Sequence, residues 1–191
     1  MEQHIKKMSK SISYALFSIS KIRKYLDQHG CASLISGPVF SRLDYCNSLL
    51  YGANQSSLHS LQLLQNRAAR VLTFTPKHAH ISGVLRSLHW LPVEFRIKYK
   101  ILLMCYKALN DLAPGYLKEL LVPYVPNRSL RSSEKALLTV KKSRLVTFGD
   151  KSFEVAAPRL WNVLPIDLRE SASVDIFKKQ LKTHLFQIAF K

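Results

Sequence analysis

Ser57-Leu58-His59-Ser60-Leu61-Gln62-Leu63-Leu64-Gln65-Asn66-Arg67-Ala68-Ala69-Arg70-Val71-Leu72 is the stretch that decides how this chain folds. Leu58, Leu61, Leu64 or Gln65, Ala68, Val71 and Leu72 recur at intervals of three and four residues, which lines one face of an α-helix. Arg67 and Arg70 border that stripe, and Ser56 or Ser57 can cap the first turn by accepting a free backbone N–H. Thr75-Pro76-Lys77-His78 ends the segment, because proline breaks the helical hydrogen-bond ladder. Upstream, Leu16, Ile19, Ile22, Tyr25 and Leu26 repeat the period with Lys21, Arg23 and Lys24 between them. That spacing predicts a basic amphipathic helix, with Gly30 as its left-handed stop. Residues 31–51 form a second helical segment, kinked or split at Gly37-Pro38. Three helices with short connections predict a small bundle over residues 1–75.

A helical middle segment, 76–122, follows. It holds a short helix at 81–88, a rigid corner at Trp90-Leu91-Pro92, and a strong helix at 93–110. Phe95, Ile97, Ile101, Leu102, Met104, Cys105 and Leu109 cover more than half the circumference of that helix, as in one buried on several sides. Pro114 suits the first turn of another helix through residue 121. Residues 123–135, with Pro123, Pro126, Asn127 and two arginines, read as a linker or extended arm. In the C-terminal part, 136–191, residues 136–140 and 145–148 can pair as a short β-hairpin around Lys141-Lys142-Ser143. A helix at 153–162, interrupted by Pro158, follows. The last helix is capped by Ser173, runs to residue 189, and carries Val174, Phe177, Leu181, Leu185 and Ile188 on one face. The fold class is mostly α, a helical bundle followed by a mainly helical extension.

With 191 residues, 47% of them hydrophobic, the chain can build one or two small cores. Its net charge of +17 and pI of about 10.0 favour a polyanionic partner, and the plainer reading of that charge is solubility. The three cysteines, Cys31, Cys46 and Cys105, are far apart and form no Cys-x-x-Cys pair. They speak against a disulfide framework and for an intracellular compartment, nuclear or cytoplasmic. Cys46 and Cys105 read as small core residues. The first residues are polar and charged and lack a leader's apolar stretch, and no apolar run spans a bilayer, so no membrane partner is expected.

Chemistry-bearing constellations are sparse. Two-metal phosphoryl transfer needs converging carboxylates, and the 12 acidic residues include no Asp-Asp or Asp-x-Asp pair. Asp44 reads as the ion-pair partner of a nearby arginine. His78 and His80 lack the cysteines of a zinc set, and His89 reads as a corner residue. There is no Gly-x-Ser-x-Gly and no phosphate-cradling glycine loop. The expectation is a protein without catalysis, metal or cofactor.

Clusters of cations remain: Lys6, Lys7 and Lys10; Lys21, Arg23 and Lys24; Arg67 and Arg70; Lys141, Lys142 and Arg144 at the hairpin tip; and Lys178, Lys179 and Lys182 on the last helix. Each reads either as a phosphate-facing patch or as the solvated face opposite an apolar one. Phosphate contacts would confer affinity without sequence preference. Tyr51 and Tyr124 are the candidates for base stacking.

Arg42-Leu43-Asp44-Tyr45-Cys46-Asn47-Ser48-Leu49-Leu50-Tyr51-Gly52, the amphipathic 58–72 segment and His89-Trp90-Leu91-Pro92, in this order, resemble the end of a reverse transcriptase of LINE-type (non-LTR) retrotransposons, in particular of the jockey-like and chicken-repeat-like clades. Ser18-Ile19-Ser20-Lys21-Ile22-Arg23-Lys24-Tyr25-Leu26 is similar to the basic helix that follows the polymerase palm in that family. The 99–114 stretch around Tyr106-Lys107-Ala108-Leu109-Asn110, then Arg128-Ser129-Leu130-Arg131-Ser132-Ser133, Ala156-Ala157-Pro158-Arg159-Leu160-Trp161-Asn162-Val163-Leu164-Pro165 and the 177–186 stretch, extend the resemblance almost end to end. It implies the thumb and post-thumb extension of the family's polyprotein. The aromatic-Ala-Asp-Asp turn of the polymerase, which lies upstream of these blocks, is not in this chain, nor is the zinc knuckle that some relatives carry. The implied role is a non-catalytic grip on RNA or DNA, alongside an upstream palm that binds magnesium and dNTPs. The rival readings are a transposon remnant that binds another protein, with the 93–110 helix as its sticky face, and a decayed reading frame without selected function.

Overall fold

The computed structural model describes residues 2–125, 136–143, 145 and 149–191. Its described residues are mostly helical and contain no sheet; one isolated antiparallel bridge joins Pro123 and Leu138. Two compact units are present. The first draws on residues up to Ile97 and from Phe186 onward, and the second on Lys98–Leu185.

In the first unit α1 (Glu2–Ile22) buries Ile5, Met8, Ile12, Leu16 and Ile19. The next place on that stripe, four residues after Ile19, falls to Arg23, which is 7% exposed, whereas Ile22 and Tyr25 face outward. The stripe read from Ile22, Tyr25 and Leu26 is therefore corrected at its last turn. A short 3-10 turn (Arg23–Tyr25) ends at Leu26, which is extended. Gly30 is not the stop: it lies in the first turn of α2 (Gln28–Ile35), where Asp27 Oδ1 accepts its N–H at 2.9 Å.

Gly37-Pro38 falls in a π-turn (Ser36–Phe40), a widened ladder that accommodates a residue without an N–H, and the chain continues into α3 (Ser41–Asp44). Cys46, at φ 50, ends that run in the left-handed region and is exposed, not a core residue. α4 (Gln55–Thr73) is capped by Asn54, whose Oδ1 accepts from the Ser57 N–H at 2.9 Å; Ser56 and Ser57 lie inside the first turn. α4 buries Leu61, Leu64, Gln65, Ala68, Ala69 and Leu72, and α1, α2 and α4 pack on one another.

The stretches 40–44 and 90–96 meet at one joint. After α5 (Ser82–Ser87), the Trp90 ring stands edge-on to Phe40 with centroids 4.5 Å apart. Gln65 Nε2 donates to the Leu91 carbonyl at 2.8 Å, and the Val93 N–H, first of α6 (Val93–Leu109), donates to Gln62 Oε1 at 2.8 Å. Asp44 accepts Arg96 Nε at 2.8 Å and also Arg96 Nη2, a bidentate pair. Asp44 thus fixes the start of α6, and the ion pair expected for it is present.

In the second unit α7 (Gly115–Glu119) is followed by extended chain. The Tyr124 N–H donates to the Leu137 carbonyl at 2.9 Å, and the Thr139 N–H to the Val122 carbonyl at 2.8 Å. The opposite edge of Leu138 is taken by one side chain: Asn162 Oδ1 accepts its N–H at 2.9 Å and Asn162 Nδ2 donates to its carbonyl at 2.8 Å. Both edges of 137–139 are engaged by these partners; Arg144 and residues 146–148, which complete the expected hairpin, lie outside the described residues. α8 (Phe153–Asn162) runs through Pro158 without interruption. α9 (Ile166–Arg169) had no periodic signal, and α10 (Val174–Ala189) begins as expected, with Ser173 Oγ accepting the Ile176 N–H at 3.3 Å. The core stacks Tyr106 on Phe177 at 4.2 Å with Trp161 beside them. Their polar tips are satisfied by the carbonyls of Ser171 and Ala136 at 2.6 and 2.8 Å.

All three cysteines are free; Cys31 and Cys105 are buried, and burial pushes both thiols above their ordinary pKa. The thiolate is the reactive form, so a native-state titration with a disulfide reagent should show one fast thiol, abolished by Cys46→Ser, and three in denaturant. A second fast thiol would contradict this packing.

Candidate nucleic-acid interface

The C-terminal end of α4 leaves backbone carbonyls that its own ladder cannot satisfy. Two N–H groups, of Phe74 and Thr75, converge on the Arg70 carbonyl. Arg23 supplies donors for the next two. Its Nε donates to the Val71 carbonyl at 3.0 Å and its Nη2 to Leu72 at 2.8 Å, while Nη1 reaches the Leu26 carbonyl at 2.6 Å. A guanidinium here satisfies acceptors and opposes the negative end of the helix dipole, which a methyl-bearing side chain could not do. This explains why an arginine holds the last core place of the α1 stripe. Arg23 is thereby committed to the fold rather than to a phosphate.

Around this capped end the chain forms a groove of about 630 Å³ lined by Ser20, Lys21, Lys24, Arg67, Phe74 and Lys77, with Arg23, Arg70, Val71 and Thr75 completing the wall. Six of these ten residues carry positive charge, and none is acidic. Among the described residues Lys21, Lys24, Arg67, Arg70 and Lys77 make no ion pair. Lys21 Nζ lies 4.4 Å from the Phe17 ring centroid and Lys24 Nζ 4.7 Å from that of Tyr25, so cations and exposed aromatics interleave. Arg70 Nη2 reaches the Ala79 carbonyl at 3.3 Å, and its Nε has no partner among the described residues. A cation near a helix C-terminus is also favourable through the dipole alone, but that effect fades beyond the last turn. Arg23 already satisfies the end carbonyls, so the other five cations are not needed for it.

Phe74 stands at the end of α4 with φ 55, in the left-handed region, and is 64% exposed. That conformation costs a non-glycine residue ~1–2 kcal/mol. The Arg23 guanidinium lies over its ring at 4.1 Å from the centroid. An exposed cation–aromatic contact returns ~0.5–1 kcal/mol, so the strain is at best partly offset.

The groove collects Lys21, Lys24, Arg67 and Arg70 from two clusters more than forty residues apart in the sequence numbering. Lys77 and Phe74 were not singled out from the sequence; the one available hint was a helix stop containing an aromatic, a proline and a lysine. Lys6, Lys7 and Lys10 lie exposed on the first half of α1, outside this groove. Lys141 pairs with Glu154 at 3.0 Å and Lys178 with Asp175 at 3.0 Å, while Lys142, Lys179 and Lys182 are exposed and Arg144 lies outside the described residues. Tyr51 is half-buried, and the Tyr124 ring is exposed. Among the described residues, no three His, Cys, Asp or Glu side chains converge as metal ligands, and no helix is long and apolar enough to cross a membrane. No family model, curated protein or solved structure matches the chain.

Proposed function

We propose that the groove at the end of α4 grips the sugar–phosphate backbone of RNA or DNA without sequence preference, as the thumb of a LINE-type reverse transcriptase would, with no catalytic step of its own. The observation that carries this reading is the convergence of Lys21, Lys24, Arg67, Arg70 and Lys77 on one cavity wall free of carboxylates. Cations held close together without counter-charges gain most from a polyanion, whose condensed counterions they release. The protein-binding alternative has less to stand on, since Val93, Ile97, Ile101, Leu102 and Cys105 of α6 are buried within the chain.

The test is a titration of the intact chain against a labelled oligonucleotide at several salt concentrations. Affinity should fall steeply, with a log–log slope near four to five contacts' worth, at roughly 0.7–0.9 per phosphate neutralised. A flat response would refute the reading.

A further inference from the structure

We propose that Phe74 is a base-stacking platform, so that the groove takes an unpaired nucleotide of a single strand and not an intact duplex. This rests on the reading of the groove as a phosphate-binding site and adds what lies between the phosphates. Phe74 lines the same cavity as the five cations and remains largely exposed there. One ring face is covered by the Arg23 guanidinium, which three carbonyls clamp, so the ring is ordered before any ligand arrives. Its backbone, anchored on the Arg70 carbonyl, occupies a conformation that glycine would adopt without strain. Helix capping alone therefore gives no reason for an aromatic at this position, whereas a ligand face does: strained residues collect where the side chain has work that the fold does not need. Every base has a π-face, and a basic groove with an aromatic floor is the general arrangement that binds single strands. Bases inside a duplex already have both faces covered, so such a floor discriminates against it.

The experiment measures binding of the intact chain to a labelled oligodeoxyadenylate, to its oligoriboadenylate counterpart, to an abasic strand of equal length, and to the matching duplex. The abasic strand keeps the phosphates and removes the bases. Wild type should bind a base-bearing strand about five- to a hundredfold more tightly than the abasic one, the range expected for one stacked base. Phe74→Leu should erase that difference while leaving abasic binding and its salt slope intact, and Phe74→Trp should keep it. Phe74→Gly should erase it without lowering the melting temperature, which separates a ligand face from a structural one. The deoxy and ribo strands report the sugar preference; a base-dependent gain in neither overturns the platform. So does retention of the gain in Phe74→Leu. Equal, salt-sensitive binding of base-bearing and abasic strands overturns the platform alone, whereas no binding of either strand overturns the groove with it.

Discussion

Replacing Lys21, Lys24, Arg67 and Lys77 together with glutamine should weaken binding to a single strand by about three orders of magnitude at 0.1 M salt. On a single strand each phosphate contact contributes roughly 0.7 of a decade in affinity per decade in salt, so four lost contacts amount to about three decades relative to 1 M. The salt slope should fall in step, by about four contacts' worth. Glutamine retains helix propensity on α1 and α4, and none of these four side chains is buried or ion-paired among the described residues. Stability should therefore change by less than about 1 kcal/mol, checked by thermal melting. The comparison variant replaces Lys178, Lys179 and Lys182, of which Lys178 already faces Asp175 at 3.0 Å. Its loss per charge removed should be clearly smaller. Equal loss per charge would mean that net charge alone attracts the nucleic acid and that the groove has no special role.

Arg23→Leu should behave in the opposite way, losing the fold rather than selectively losing the ligand. The substitution strands the carbonyls of Val71, Leu72 and Leu26, which now accept three charge-assisted hydrogen bonds at 2.6–3.0 Å. Hydrogen bonds to a charged group contribute ~1.5–3 kcal/mol each and a buried acceptor left unsatisfied costs ~1–3 kcal/mol; such contributions do not add, and a total of ~3–5 kcal/mol is expected. For a chain of this size that corresponds to a fall in melting temperature of roughly 10 °C. Arg23→Lys should recover little of it, because one ammonium cannot present the planar fork that reaches three separated acceptors. A melting temperature within a degree or two of wild type, with binding abolished, would show that Arg23 serves the ligand and not the end of α4.

Most of the helices were legible in the sequence because a helix writes its buried face at a period of three to four residues. The stripe of α4, the Ser173-capped start of α10 and the long apolar α6 need nothing beyond that local rule. Caps were less secure. The pattern points to Ser56 or Ser57 where Asn54 is the cap, and to Gly30 as a stop where it opens α2, because several neighbouring residues can satisfy the same free N–H and only the backbone's exit direction chooses among them. The partners of 136–140 were hidden for a related reason. Alternation shows that 136–140 is extended but not which acceptor its N–H groups will find, and the Asn162 amide, two dozen residues on, takes one edge of Leu138.

The candidate site shows the same division. Its cations were visible as residue types, since charge is a property of the residue. That Lys21, Lys24, Arg67 and Arg70 share one groove follows only from the packing of α1 on α4, a contact between stretches about fifty residues apart that no local pattern encodes. The same packing sets Arg23 apart from its neighbours. By itself it is another basic residue in a basic helix; against the unsatisfied carbonyls of α4 it becomes the residue that a low-dielectric interior with free acceptors requires. Phe74 likewise reads as one more apolar residue until the left-handed turn of the chain aims its ring at solvent. Composition and periodicity thus determined that the chain is helical and basic. Tertiary structure decided which charges serve the fold and which stay exposed without an ion pair among the described residues, because that depends on what each charge faces across the core.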